Sequence, residues 1–184
     1  MALSMPIHRA GRILRGGGVI AYPTEAVYGL GCVPDDLEAV ARILDIKDRD
    51  PDRGLILIAA NPSQLEPWIV MPEDPDLLVS TPERPVTWIV AANPDTPYWI
   101  TGDNPGVAVR LTTHPVAFAL CEATATALVS TSANVSGRPP TRSRFVLRRN
   151  FGALVDYIVP GECGPATSPS EIRDFASGRI LRPA

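Results

Sequence analysis

Lys47 is the only lysine among the 17 lysine and arginine residues of the chain. In a chain that otherwise uses arginine, a single lysine indicates a site that needs an ammonium at this position. An ammonium is a compact point charge on a flexible stem, which suits a phosphate oxygen, whereas a guanidinium is a planar fork. Arg49 and Arg53 follow closely, and clustered cations suit a polyphosphate. The alternative is a solvated helix end, where a cation complements the helix dipole.

Two polar loops supply further candidates for a binding site. Residues 22–31, with the sequence YPTEAVYGLG, follow an apolar segment and place polar groups at the carboxyl end of a predicted strand, where ligands of α/β proteins usually bind. Residues 130–137, with the sequence STSANVSG, could cradle phosphate through hydroxyl, amide and backbone N–H groups, although the chain has no P-loop motif. Both patterns also occur in ordinary turns.

Arg110 ends the apolar run of residues 107–109. A guanidinium at the end of a buried strand is costly unless it is paired. A ligand carboxylate that accepts from both arms of the fork is one possible partner. An internal Asp or Glu is an equally good one, and the residues themselves leave both open.

The elements that must position these groups alternate along the chain. Strands are predicted over residues 19–22, 55–60, 86–92, 107–111 and 128–131. Helices are predicted over residues 5–15, 115–123 and 144–150, and in a segment that starts at Asp35 as its cap, with Glu38 completing a capping box, and ends near Lys47. This alternation predicts one α/β domain over residues 1–184.

Composition excludes several classes of protein. A hydrophobic content of 45% with 20% charged residues is typical of a globular domain, and a net charge of −3 provides no global field for nucleic acid. The three cysteines form no C-x-x-C pair, which argues against a disulfide framework or a structural zinc site and fits a reducing compartment. With no signal-peptide pattern and no apolar run long enough for a membrane span, we expect a soluble cytoplasmic protein.

The motifs in their order along the chain resemble the YrdC/TsaC family of threonylcarbamoyl-AMP synthases. The matching blocks are GVIAYPTEAVYGLG at 18–31, K-x-R at 47–49, GLILI at 54–58, VAVR at 107–110, SANxSG at 132–137 and ILR at 180–182. Residues 169–174 and the short length resemble the bacterial TsaC branch. The resemblance implies one twisted sheet of parallel and antiparallel strands, with flanking helices, around a concave cavity.

The resemblance also implies a reaction. L-Threonine, bicarbonate and ATP would give threonylcarbamoyl-AMP and pyrophosphate. A tRNA-modifying threonylcarbamoyl transferase complex would then pass the threonylcarbamoyl group to the adenosine next to the anticodon, and direct tRNA binding by this chain stays open. Mg²⁺ is expected with ATP, held mainly by phosphate oxygens and water rather than by protein ligands.

Residue roles carried over from the resemblance fall into two groups. The residues expected to contact ATP, the first two also as catalytic residues, are Lys47, Arg49, Arg53, Ser132, Asn134, Ser136 and Arg182. The residues expected to contact threonine are Thr24, Tyr28, Arg110 and Ser170. Arg110 would clamp the threonine carboxylate, because a planar fork offers the bidentate geometry that lysine lacks.

Three segments depart from the family pattern or are ambiguous. Ala26 stands where many relatives have a threonine hydroxyl, and residues 81–87 lack the usual tryptophan and glycine. For residues 168–171, local rules predict a capping box that opens a helix. The resemblance instead implies a strand over residues 171–175, a turn and a second strand over 179–182, and we adopt this interpretation.

Two other functions remain alternatives. One is an RNA-binding factor for tRNA or ribosomal RNA maturation without its own adenylate chemistry, favoured by the cluster Arg138, Arg142, Arg144, Arg148 and Arg149. Phe145 is the only aromatic residue interleaved with this cluster, which makes a base-stacking platform a poor fit. The other is a carbamoyl-transfer domain of the hydrogenase-maturation type, whose acylphosphatase and zinc-finger segments this sequence lacks.

Overall fold

A sheet that mixes parallel and antiparallel strands dominates the computed structural model, which describes residues 4–184. Its strands are β1 Ile20–Pro23, β2 Tyr28–Gly31, β3 Ile56–Ala59, β4 Val86–Ala91, β5 Gly106–Leu111, β6 Leu128–Ser132, β7 Tyr157–Ile158, β8 Glu171–Asp174 and β9 Ile180–Arg182. The α-helices are α1 Ser4–Arg15, α2 Leu37–Lys47, α3 Tyr98–Thr101, α4 Pro115–Thr124 and α5 Arg144–Phe151.

Strand order explains why one segment is so apolar. The order is β7-β1-β2-β6-β3-β5-β4-β8-β9, with β3 parallel to β5 and antiparallel to β6. Because β3 lies inside the sheet and both of its faces are covered, Leu57, Ile58 and Ala59 are completely buried. The predicted α/β class and the mixed sheet are confirmed.

Helices cover the sheet from two sides. Leu57 packs in a cluster with Val40 and Ile43 of α2 and with Leu147 of α5. The next residue, Ile58, points to the opposite face and packs with residues of α1 and α4, as expected from the alternation of side chains along a strand. No helix among residues 4–184 is long and apolar enough to cross a membrane.

Helix α2 begins one residue later than predicted. Asp36, rather than Asp35, is its N-cap, and its Oδ1 accepts a hydrogen bond from the Ala39 backbone N–H at 2.9 Å. The predicted capping box with Glu38 is therefore wrong, because Glu38 lies only two positions after the cap. The helix ends at Lys47, and Asp48 turns the chain with a positive φ of 48°.

Other predicted elements hold, with some omissions. The predicted strands at 19–22, 55–60, 86–92, 107–111 and 128–131 and the predicted helices at 5–15, 115–123 and 144–150 all form, within two residues at each end. Strands β2 and β7 and the short α3 were not predicted: the 22–31 loop is a hairpin in which Ile20 pairs with Gly31. A start of the domain at residue 1 lies outside the described residues.

The ambiguous segment before the carboxyl terminus is extended. β8 pairs in parallel with β4, with Val86 opposite Glu171, and β9 returns antiparallel to β8. The Glu171 N–H donates to the Pro85 carbonyl at 3.1 Å. Pairing with the sheet satisfies backbone groups that a helix would have satisfied internally, so the capping-box interpretation is wrong and the one implied by the resemblance is confirmed.

Candidate active site

A cavity of about 640 Å³ opens on the side of the sheet formed by β3, β5, β4 and β8. The charged residues that line it are Arg49, Arg53, Arg110, Arg179, Arg182 and Asp174. Asp174 is occupied locally, since its Oδ1 accepts from the Ser177 backbone N–H at 2.8 Å. Five guanidiniums against one carboxylate give the lining a positive charge that suits anions.

Arg49 and Arg53 approach the cavity from the turn after α2. Arg49 Nη2 donates to the Gly54 carbonyl at 2.8 Å, which aims the half-buried guanidinium along the cavity wall. Burial lowers the pKa of Arg49, and the nearby Arg53 and Arg182 lower it further. These guanidiniums repel each other, and a bound polyanion would relieve that repulsion.

Arg182 reaches the same cavity from β9 at the edge of the sheet. Its Nη2 donates to the Ser170 carbonyl at 2.7 Å. Gly54, another residue of the lining, packs closely against the end of α3. It has a φ of 62°, and a Cβ at this position would lie 2.5 Å from the Thr101 carbonyl oxygen.

Lys47 lies behind the cavity wall rather than on it. Its side chain is buried at 2% exposure, so the solvated helix end considered above is wrong. The ammonium donates to the Ser132 carbonyl, to the Asn134 carbonyl at 2.8 Å and to Asn134 Oδ1 at 3.3 Å. The Lys47 carbonyl accepts from the Ser136 N–H at 2.8 Å. Burial, with Arg49 and Arg53 nearby, lowers the pKa of Lys47 to about 8.

These contacts engage the Lys47 ammonium within the protein, and its predicted contact with a phosphate stays a prediction. An ammonium has three N–H donors, and each has a protein acceptor in the loop of residues 132–136. In this arrangement Lys47 shapes the loop that faces the cavity and is absent from the cavity lining. Direct contact with a phosphate would require the ammonium to leave these acceptors.

The loop of residues 132–136 presents Ser132 to the cavity and uses the Asn134 amide for bonds within the loop. Ser132 lines the cavity, and its Oγ donates to Asn134 Oδ1 at 2.5 Å. Asn134 Nδ2 donates to the Arg138 carbonyl at 2.6 Å, so this amide is used within the loop. Asn134 and the exposed Ser136 are absent from the lining, whereas Thr131, which was not singled out, is part of it.

Arg110 lines the same cavity from β5 and has an internal partner. Its Nη2 lies 3.3 Å from Glu25 Oε2, and the two side chains are 8% and 2% exposed. Its Nε is buried and has no hydrogen-bond acceptor among residues 4–184. Arg110 therefore pairs with an internal glutamate and also lines the cavity.

Glu25 is the functional candidate that the sequence interpretation missed. Its Oε1 accepts from Thr112 Oγ1 at 2.5 Å and from the Thr113 N–H at 3.2 Å. Burial alone would raise the pKa of this carboxyl, but Arg110 and the Thr112 hydroxyl outweigh burial and hold the pKa below its ordinary value. The available signal was the position of Glu25 beside Thr24 and the need of Arg110 for a counter-ion.

The remaining predicted threonine contacts divide. Thr24 and Ser170 line the cavity. The Thr24 hydroxyl donates to the Val27 carbonyl at 2.8 Å, and Ser170 Oγ accepts from Thr87 Oγ1 at 2.9 Å. Tyr28 does not line it: the side chain is buried, and its hydroxyl donates to the Gly161 carbonyl at 2.7 Å.

Known proteins resemble this chain along nearly its whole length. The Sua5/YciO/YrdC family model, described as "Telomere recombination", matches residues 12–184. A threonylcarbamoyl-AMP synthase of Cellvibrio japonicus is 48% identical over 185 aligned positions, covering 100% of this chain and 98% of that protein. The same-named protein of Alkalilimnicola ehrlichii is 52% identical over 173 positions, covering 92% and 90% respectively. This chain belongs to the Sua5/YciO/YrdC family.

A solved structure of the Sua5/YciO/YrdC family supports the fold. P. abyssi Sua5, crystallised in complex with L-threonine, superposes with a TM-score of 0.85 at 32% identity. The match covers 96% of this chain and 53% of that protein, so the chain spans about half the length of P. abyssi Sua5. The resemblance drawn from the six sequence blocks is confirmed.

Arg142 is a further residue that the sequence assigned differently. It belongs to the arginine cluster considered for RNA binding, yet its Nη1 donates to the Ala26 and Ala166 carbonyls, each at 2.6 Å. Its Nη2 donates to the Gly164 carbonyl at 2.7 Å. In this family member, Arg142 thus ties the β1–β2 hairpin to residues 164–166 and is not available as a free surface cation.

Proposed function

We propose that this chain is a threonylcarbamoyl-AMP synthase, which converts L-threonine, bicarbonate and ATP into threonylcarbamoyl-AMP, pyrophosphate and water. The observation that carries the proposal is a single cavity lined by unpaired guanidiniums and by one that is paired with a carboxylate. Arg49, Arg53 and Arg182 suit a triphosphate, and Arg110 suits one carboxylate. The names of relatives at 48% and 52% identity agree with it, and P. abyssi Sua5 was crystallised with L-threonine.

The chemistry asks mainly for positioning and charge neutralisation. The threonine amine and bicarbonate form a carbamate with loss of water. A carbamate oxygen then attacks the α-phosphorus of ATP, and pyrophosphate leaves. Arg110 would hold the threonine carboxylate, with Thr24 and Ser170 on the neighbouring wall. Arg49, Arg53 and Arg182 would neutralise charge on the phosphates and on the departing pyrophosphate.

The loop of residues 132–136 would hold the nucleotide. Ser132 supplies a hydroxyl on the cavity wall, and Lys47 and Asn134 fix the loop from behind. Ser136 belongs to the same loop through its N–H bond to the Lys47 carbonyl. We assign Lys47 and Asn134 an indirect part in nucleotide binding, because their polar side-chain groups bond within the protein. Ser136 takes part through its place in the loop, and Tyr28 has a supporting role, since its hydroxyl bonds to the Gly161 carbonyl.

Mg²⁺ is part of the proposal as a companion of ATP. The described residues include no cluster of three or more His, Cys, Asp or Glu side chains that could hold a metal ion. We therefore expect Mg²⁺ to arrive as MgATP, coordinated by phosphate oxygens and water, as Mg²⁺ commonly is.

Partners beyond the substrates are also part of the proposal. The product is a reactive mixed anhydride, so a second protein must take it up before water does. A tRNA-modifying threonylcarbamoyl transferase complex in the cytoplasm fits that need. Direct tRNA binding would fall to Arg144, Arg148 and Arg149 on α5, since Arg142 is engaged by three carbonyls.

The test is substrate dependence of pyrophosphate release. Purified protein with MgATP should release pyrophosphate only when both L-threonine and bicarbonate are present, and mass spectrometry should detect threonylcarbamoyl-AMP. Arg148→Ala, on the exposed face of α5, should keep wild-type rates and serves as the control variant. Retention of tRNA binding without any adenylate product would contradict the proposal and favour the RNA-binding alternative.

A further inference from the structure

Glu25 is a buried carboxylate beside the candidate active site that does not touch the cavity. It is absent from the lining, whereas its neighbour in sequence, Thr24, and its ion-pair partner, Arg110, are both present. Its side chain is 2% exposed. Any influence that Glu25 has on a bound substrate must therefore pass through a group that does reach the cavity.

The two oxygens of Glu25 are used for different purposes. Oε1 accepts from the Thr112 hydroxyl and from the Thr113 N–H, which anchors the carboxylate to the segment that follows β5. Oε2 faces Arg110 Nη2 at 3.3 Å. The carboxylate thus connects a fixed backbone position to one arm of the guanidinium.

The guanidinium of Arg110 is only partly used by this pair. Glu25 contacts Nη2, and the buried Nε has no acceptor in the part of the chain that the structure describes. A buried donor without an acceptor is unfavourable and rare in folded proteins. Because Nε is enclosed by the protein, a substrate carboxylate in the cavity would meet Arg110 where the rest of its guanidinium lines the wall.

Charge explains why a carboxylate is needed behind Arg110. A buried guanidinium without a counter-ion would be strongly unfavourable in the empty protein, and removing one partner of a buried pair leaves an uncompensated charge. The pair is also nearly rigid, because both side chains are enclosed and Glu25 is itself hydrogen-bonded. Rigid support for a binding group reduces the entropy that the group loses when a ligand binds.

We propose that Glu25 is the positioning residue for the substrate carboxylate: anchored by Thr112 and Thr113, it pairs with Arg110 Nη2 and so holds the guanidinium against the cavity wall. This inference rests on the proposed threonylcarbamoyl-AMP synthase activity. Glu25 acts through Arg110, so its removal should weaken threonine use and leave ATP use nearly unchanged.

The principal variant is Glu25→Gln, which keeps the shape of the side chain and removes its charge. We expect the KM for threonine to rise about tenfold or more, because the ion pair that fixes the guanidinium is lost, while the KM for ATP stays within about twofold. The kcat at saturating threonine should fall by less than about threefold, because the guanidinium is still present. A fall in kcat with an unchanged KM for threonine would overturn the proposal.

A double-mutant cycle separates positioning from direct contact. In an Arg110→Gln background, adding Glu25→Gln should raise the KM for threonine no further, because the residue through which Glu25 acts has been removed. Additive effects would mean that Glu25 meets the substrate itself, and the proposal would then be wrong. Glu25→Asp, which keeps the charge, should recover part of the loss.

Two variants that should disturb folding less serve as controls. Thr112→Val removes the hydrogen bond to Glu25 Oε1 and leaves both charges in place, so it should give a smaller rise in the KM for threonine alone. If Glu25→Gln does not fold, Thr112→Val decides: an unchanged KM for threonine would refute the proposal. Asp156→Asn, which alters an ion pair with Arg42 away from the cavity, should leave both KM values unchanged.

The two proposals fail in different measurements. Wild-type protein that releases no pyrophosphate with threonine and bicarbonate would refute the threonylcarbamoyl-AMP synthase activity, on which this inference depends. Active wild type with equal threonine KM values for wild type, Glu25→Gln and Thr112→Val would refute only the role of Glu25.

Discussion

The guanidiniums that line the cavity fall into an unpaired group and a paired group. Arg49, Arg53 and Arg182 form no ion pair within residues 4–184, and their charges repel one another. Arg110 is enclosed and paired with Glu25. The unpaired group therefore accumulates positive charge, whereas the paired group, Arg110 with Glu25, is neutral before any substrate binds.

This difference matches the charge of the ligand that each group is proposed to bind. A triphosphate brings several negative charges, which can offset several guanidiniums at once. A single amino-acid carboxylate brings one charge, and a site with unpaired excess charge would gain little selectivity for it. In this proposal the paired guanidinium orients the amino-acid carboxylate, and the unpaired guanidiniums attract the triphosphate.

Lys47→Met should have the largest effect, because it removes the ammonium that holds the loop of residues 132–136. Loss of the donors leaves the Ser132 and Asn134 carbonyls without their partner, which should lower the free energy of unfolding by about 2–4 kcal/mol. Pyrophosphate release should fall by about a hundredfold or more, as the loop loses its shape. Urea unfolding and the pyrophosphate assay measure the two effects.

Two further variants control this prediction. Arg42→Met removes an exposed cation from the same helix and should change stability by less than about 1 kcal/mol, with full activity. Lys47→Arg keeps the charge but brings a planar fork into an enclosed position, so it should also lose most of the rate. Wild-type turnover and ATP affinity in Lys47→Arg would show that the single lysine is compositional chance.

Arg110→Lys tests the paired group, and its expected effect is smaller than that of Lys47→Met. The ammonium keeps the charge beside Glu25 but loses the fork, so the KM for threonine should rise about tenfold or more. ATP binding, measured by calorimetry, should stay nearly intact, with circular dichroism confirming the fold. An equal loss of ATP binding would show that Arg110 does not act on threonine alone. It would contradict the division of the guanidiniums into two groups.

Arg182→Ala tests the unpaired group and should have the smallest effect of the three substitutions. The KM for ATP should rise only a few-fold, because Arg49 and Arg53 remain, and the KM for threonine should not change. The free energy of unfolding should change by less than about 0.5 kcal/mol, since Arg182 is exposed and lies among like charges. Destabilisation by more than about 1 kcal/mol would mean that Arg182 is a structural residue and contradict the comparison.

Local patterns in the sequence predicted most of the fold. The β3 segment was readable from its continuous apolar run, and α4 from the proline at its first position. Strand β2 was missed because its two glycines look like a turn, and the start of α2 was displaced because Asp35 and Asp36 are equally good caps in isolation. Only the bond to Ala39 distinguishes them.

Residue types and their order determined which groups take part in the site. The six blocks identified the family, and of the eleven predicted site residues the structure brings seven to one cavity: Thr24, Arg49, Arg53, Arg110, Ser132, Ser170 and Arg182. The sequence also left open whether Arg110 pairs with an internal acid or with a ligand. Its place on the cavity wall beside Glu25 makes both compatible.

The tertiary structure alone decided what each group bonds to. Lys47 and Ser132 are 85 positions apart, and Glu25 and Thr112 are 87 positions apart. Periodicity and capping rules describe neighbours within a few residues, so they carry no information about such pairs. That is why the unique lysine could be recognised from the sequence as significant, while its role behind the loop, and the carboxylate behind Arg110, followed only from the way the strands meet.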